Sequence, residues 1–195
     1  EHKIQRALTL SNIGMLGTLG LNGPIVSPLE FYADQMAIYI LPQPGSPKLK
    51  AMQRDPRVSF AVAGVMAGWA SAQGAQLFGK AELLEPGTEE WKYGMSIFRW
   101  QASAAEIGTG FEKAPEYTLM KLDPDRIVYT EHFLRKDGYG PRQIWRKDEK
   151  NEQGWGDFKD EASNVERTAD GLDTLLKYRR FCSNEPMSHF WAYSK

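Results

Sequence analysis

Ser46-Pro47-Lys48 is the triplet in this chain whose residue types and order most directly suggest chemistry. A hydroxyl residue followed by proline marks a helix start, since the side chain can accept from a free amide and proline's fixed φ suits the first helical position. A cation one place further on is unfavourable beside the positive end of the helix dipole unless an anion sits there. Free backbone N–H groups, the Ser46 hydroxyl and the Lys48 ammonium would then converge on one point, which is a phosphate site in outline. The simpler alternative is that Ser46 only caps the helix and Lys48 is only solvated, and caps are commoner than ligand sites.

Other candidate chemistry is sparse. His132, in Tyr129-Thr-Glu-His-Phe, falls in an expected strand and suits either a haem ligand or a proton donor, although a hydrogen-bonded or surface histidine is the commoner case. Trp145 suits stacking or packing, and Gly138-Tyr139-Gly140-Pro141 reads as a turn. There is no Gly-x-Ser-x-Gly elbow and no His/Cys/Asp spacing for zinc, so serine-hydrolase and zinc chemistry lack support. Gly14, Gly17 and Gly20 recur at every third place, a spacing that is not the dinucleotide fingerprint.

Composition narrows the class. The chain has 195 residues, 42% hydrophobic and 25% charged, with a net charge of −1, which fits one soluble domain with an appendage. The even mix of charges lacks the basic footprint of a nucleic-acid binder. No apolar run reaches transmembrane length and the charged start lacks a signal-peptide core, so no membrane role is expected. A single cysteine, Cys182, forms no intrachain disulfide and fits a reducing cytoplasm.

The elements that must position the triplet read as follows. An amphipathic helix over 3–11 is followed by a strand, Ile13 to Leu19, a turn at Leu21-Asn22-Gly23-Pro24, a strand from Ile25 to Tyr32, and a third from Met36 to Leu41, together an antiparallel meander. The short helix opened by Ser46 carries Leu49, Met52 and Gln53 on one face and stops at Asp55-Pro56. Strands are expected over Arg57–Ala63 and Gln76–Leu84, with a small-residue loop between them. One longer helix with the stripe Trp91, Met95, Phe98 and Ala102 comes next, then a strand pair, Tyr117–Leu122 and Arg126–Phe133. Closing antiparallel strands with inserted helices predict a mainly β, α+β fold: a split antiparallel β-barrel of about six strands. The barrel domain spans 1–146, and 147–195 forms a C-terminal extension of loop and helix.

Taken in order, Gly17-Thr-Leu-Gly-Leu-Asn-Gly-Pro, Val26-Ser-Pro-Leu, Ile38-Tyr-Ile, Gly45-Ser-Pro-Lys, Asp55-Pro-Arg-Val-Ser and Phe78-Gly-Lys-Ala-Glu resemble the pyridoxamine 5′-phosphate oxidase-like family of FMN-binding split barrels. The resemblance covers about residues 5–146. It implies a homodimer with two interfacial clefts that hold FMN, and an oxidoreductase acting on a small molecule. Deazaflavin or haem in place of FMN, and a non-catalytic carrier, electron-transfer or sensor role, are the alternatives on the same barrel. It places Val26, Ser27, Pro28 and Leu29 alongside the flavin ring, Tyr39, Ile40 and Leu41 along the ring and ribityl chain, and Ser46, Pro47 and Lys48 at the phosphate. Gln76, or Gln73, would reach the flavin from the partner subunit. The chain departs from true oxidases at Pro47, where a basic residue usually precedes the phosphate lysine, and it lacks their closing arginine-and-histidine pattern.

Overall fold

The computed structural model describes residues 1–64, 71–106, 110, 113–137 and 139–148. The expected C-terminal extension lies outside these, apart from residues 147 and 148. The chain divides into two compact units, residues 1–63 with 75–127, and residues 64–74 with 128–195.

The first unit begins with α1 (His2–Thr9), which buries Ile4 and Leu8. A hairpin follows, β1 (Ile13–Gly20) and β2 (Gly23–Glu30), fully paired from Ile13↔Glu30 to Gly20↔Gly23. A second hairpin pairs β3 (Tyr32–Asp34) with β4 (Ala37–Ile40). Then come α2 (Pro47–Arg54), β5 (Arg57–Ala63), β6 (Gln73–Leu84), α3 (Glu89–Ile97), α4 (Trp100–Glu106) and β7 (Leu119–Leu122). β8 (Arg126–Glu131) runs into the second unit, which continues with a 3₁₀ helix (His132–Asp137) and β9 (Arg142–Arg146). Strand order is β2-β1-β5-β6-β7-β4-β3, with β8 pairing β6 and β9.

The expected three-strand meander is corrected by this order. β2 and β3 stand at opposite ends of the path rather than side by side. Phe31 between them is fully buried and still in the hairpin's register, its N–H donating to Asn12 O at 2.9 Å, one step beyond Ile13↔Glu30; the chain leaves the first hairpin only after it. The strand count is also higher than expected, nine among the described residues instead of about six. β9 carries no apolar alternation in the sequence, since Ile144 is its one buried residue and Trp145 stands directly beside it.

Burial explains the rest of the packing. β5 alternates buried Val58, Phe60 and Val62 with more open Arg57, Ser59, Ala61 and Ala63. Leu16, Ile38, Leu77, Met120 and Leu122 complete the interior. On the other face of the sheet, Tyr39 of β4, Leu84 of β6 and Leu119 of β7 pack against Trp91, Met95 and Phe98. Thr88 caps α3 by accepting from Trp91 N–H, and Trp91 Nε1 donates to Tyr117 O at 2.8 Å. The single long helix expected over Trp91–Ala102 is broken, because Phe98 adopts extended geometry and sets its ring edge-on to Tyr32 at 5.4 Å. That contact divides the segment into α3 and α4.

Candidate functional site

The start of α2 is built as the sequence suggests, with one difference that bears on function. Gly45 takes φ +72°, a left-handed turn suited to glycine, and Ser46 follows in extended geometry at the N-cap. Pro47 opens the helix, and the Lys50 N–H donates to Ser46 O at 3.1 Å. Pro47 has no N–H, so the amides of Lys48 and Leu49 are the two left without a partner inside the helix. The expected side-chain cap is absent: the Ser46 hydroxyl bonds to no amide, and Oγ is buried with no partner among the described residues. An orphaned buried hydroxyl costs about 1–3 kcal/mol. Two open amides, that hydroxyl and the half-buried Lys48 therefore gather at one helix start. This donor set fits a phosphate and has nothing in it that repels one.

Gln53 does not share the buried face with Leu49 and Met52; Ala51 does, and Gln53 is exposed. At the other end, Asp55 leaves the helix in extended geometry and Arg54 donates to the Leu19 carbonyl, tying α2 to β1.

The remaining expected site residues separate by strand alternation. Val26 and Pro28 are exposed on β2, opposite Gly17 and Met15 of β1, whereas Ser27 and Leu29 alternate to the other face. Gly17 and Met15 in turn stand opposite Ser59 and Ala61 of β5. Two backbone bonds, Gly64 N–H to Gln73 O and Ala81 N–H to Pro56 O, fix the β5–β6 register so that Ser59 faces Phe78 and Ala61 faces Gln76. One open face thus carries two rows, Val26–Gly17–Ser59–Phe78 and Pro28–Met15–Ala61–Gln76. Gln76 shares that face with Pro28, yet three strand spacings, about 14 Å, separate them in one chain.

Tyr39 and Ile40 are buried to 3% and 1% exposure. The Tyr39 ring is held in the α3 cluster and meets Tyr93 edge-on at 6.5 Å, so only its backbone is left to border a ligand. Burial pushes its phenol up to about 12, with Tyr93 and Asp34 adding to the effect. Leu41 is partly buried against the same cluster, and Pro47 is exposed. In the second unit, Gln73 Nε2 donates to Tyr129 Oη at 2.7 Å, and that hydroxyl donates to Glu131 at 2.9 Å, which commits the Gln73 amide to a structural role. His132 is not in a strand but opens the 3₁₀ helix, where burial, then Arg135 and Arg142, lower its pKa. Among the described residues no helix is long and apolar enough to cross a membrane, and no group of three His, Cys, Asp or Glu side chains could hold a metal.

A mainly β protein with this antiparallel strand order and a phosphate-ready helix start falls in the split-barrel class. A family model described as pyridoxamine 5′-phosphate oxidase matches residues 1–131. The chain belongs to that family. No curated protein matches it in sequence. Among solved structures, a haem-binding protein from Mycobacterium smegmatis is 20% identical over 74% of this chain and 57% of its own, with TM-score 0.56. General Stress Protein 26 from Bacillus anthracis is 19% identical over 75% of this chain and 97% of its own, with TM-score 0.53. A FAD-binding protein from Mesorhizobium loti is 22% identical over 63% of this chain and 85% of its own, with TM-score 0.50. At these identities the likeness shows the shared fold, one that hosts both flavin and haem binders.

Proposed function

We propose that this protein binds FMN and works as an FMN-dependent oxidoreductase on a small molecule, as a homodimer. The observation that carries the reading is the buried, partnerless Ser46 hydroxyl beside Lys48 and two open amides, a donor set that a phosphate monoester completes. Ser46, Lys48 and the Lys48 and Leu49 amides would hold the phosphate, with the backbone of Tyr39 and Ile40, the side chain of Leu41 and the Val26–Leu29 strand bordering the rest of the cofactor. Bound flavin supplies the redox chemistry in its own ring, so the chain has to bind, orient and exclude water.

Dimerisation is supported by the open sheet face. Ile13, Met15, Leu19 and Val26 are 56%, 46%, 38% and 68% exposed there. Such an apolar surface is costly to leave in water. Prolines 24 and 28 on the edge strand β2 weaken pairing by strand addition, so a second copy would meet the face rather than the edge. Gln76 of the partner would then lie close to the first copy's β2, which removes the 14 Å gap within one chain (about three strand spacings).

Purified protein should be yellow, carry one FMN per chain and elute at twice the chain mass. Colourless protein that binds no added FMN overturns the reading. A second reading, haem binding on the same barrel, rests on His132, whose burial favours the neutral, ligating imidazole. It predicts a Soret band on haem addition that His132→Ala removes.

A further inference from the structure

Asn22 is the one asparagine of the chain that glycine follows. It sits in the turn of the first hairpin, just past Gly20↔Gly23, the last pair of the β1–β2 ladder. Leu21, Asn22 and Gly23 are all exposed, Leu21 to 84%. Gly23 takes φ +130°, and a Cβ there would meet nothing within 4 Å, so no packed neighbour crowds the link between Asn22 and Gly23. The bond from Phe31 N–H to Asn12 O fixes which pairs of this ladder exchange hydrogen bonds, and alternation carried along the strands makes Thr18↔Ile25 and Gly20↔Gly23 two of them. The Gly23 N–H is therefore held by the terminal pair alone, with solvent beyond it. Terminal pairs open at the lowest cost in free energy. Asn12 supplies the contrast: it is exposed too, but its carbonyl is held by Phe31 N–H and the β-branched Ile13 follows it, paired with Glu30.

We propose that Asn22-Gly23 is a site of spontaneous covalent modification, in which the Gly23 nitrogen attacks the Asn22 side-chain amide when the end of the hairpin opens. Hydroxide takes the Gly23 N–H proton, the nitrogen bonds to Asn22 Cγ, and the amide group leaves as ammonia with a proton from water. The succinimide ring that forms then takes up water at either carbonyl. Cleavage at one leaves aspartate at position 22; cleavage at the other leaves isoaspartate, whose main chain runs through the side-chain carbon. Nothing is oxidised or reduced, and water is the co-reactant. Glycine favours the step because it has no side chain to crowd the closing ring. Both products add a negative charge to the turn. Isoaspartate also lengthens it by one atom, which the tight connection closing Gly20 on Gly23 does not accommodate. The next residue inward, Leu19, carries the carbonyl that accepts from Arg54, so the modified end borders the contact that ties α2 to β1. Leu21 and Asn22 lie beyond the last strand pair, at the end of the sheet rather than on the face proposed to meet a second copy, and the inference stands on the hairpin rather than on the cofactor.

The test incubates the purified protein with FMN present in warm buffers of rising pH and follows the conversion of amide to acid by mass spectrometry. Asn12 and Asn22 share the tryptic peptide Ala7–Lys48, so fragmentation compares them within one molecule. Asn22 should convert at least roughly tenfold faster than Asn12, a barrier difference of about 1.4 kcal/mol. Its rate should rise with pH, because hydroxide removes the proton. Methyl transfer from S-adenosylmethionine by a protein-isoaspartate methyltransferase should label the isolated peptide from aged protein and not the one from fresh protein. Asn22→Gln, which would have to close a larger ring, should lose both the mass change at that position and the label. Equal rates at Asn12 and Asn22, a rate that does not rise with pH, or a label that persists in the Asn22→Gln peptide overturns the proposal.

Discussion

Replacing Ser46 by alanine should move stability and ligand affinity in opposite directions. An N-cap serine is ordinarily worth about 0.5–2 kcal/mol because its oxygen accepts from the first turn. Here that bond is not made, and Oγ is buried with no partner among the described residues. Removing it therefore forfeits no cap bond and relieves a desolvation cost of about 1–3 kcal/mol. For a domain of this size the flavin-free protein should melt higher by roughly 2–12 °C. With FMN the sign reverses, because the hydroxyl is one of the donors to the phosphate. Loss of a hydrogen bond to a charged group, about 1.5–3 kcal/mol, raises Kd by roughly 10–150-fold. Thermal melts of the flavin-free protein, paired with a flavin-fluorescence titration, measure both quantities on one preparation. A Ser46→Ala protein that melts lower and binds FMN as tightly as wild type would show an ordinary cap and refute the phosphate assignment.

Lys48→Ala should weaken FMN by about 1.5–3 kcal/mol in the same titration while leaving the flavin-free melt nearly unchanged, since Lys48 has no ion pair among the described residues. Thr18→Val should stabilise the fold by about 1–3 kcal/mol in urea denaturation, because Thr18 is 3% exposed and its Oγ1 has no partner. Gly94→Ala should destabilise by about 1–3 kcal/mol: a Cβ there would stand 2.5 Å from Leu119 Cδ2 and 3.0 Å from the Tyr39 ring, wedging α3 off the sheet. His132 has a folded-state pKa below its ordinary value, so the unfolded chain binds more protons and stability falls as pH drops below about 6.5. His132→Gln should flatten that part of the stability curve.

The helix at the candidate site was legible in the sequence because its signals are local. Gly45, Ser46, Pro47 and Asp55-Pro56 each act on the backbone within a few residues, so the bounds of α2 follow from steric rules that need no partner strand. The first hairpin was equally local, its register set by the turn at Leu21-Asn22. The division of the expected meander was not local. It depends on Phe31 finding a place in the core next to Phe60, whose ring it meets at 4.8 Å, and no short-range pattern announces that. The break between α3 and α4 has the same origin, since the packing of Phe98 on Tyr32 overrides a helical stripe that continues through Ala102.

The sequence by itself determined the class of protein and the bounds of the helix that Ser46 and Pro47 open, because proline geometry and the helix dipole are properties of a single segment. Tertiary structure alone decided that the Ser46 hydroxyl lacks a partner, since burial depends on what packs over it. It alone decided that the Tyr39 ring faces α3 while Val26, Pro28 and Gln76 share an open face. Strand register sets those neighbours, and a slip of one residue would exchange every one of them.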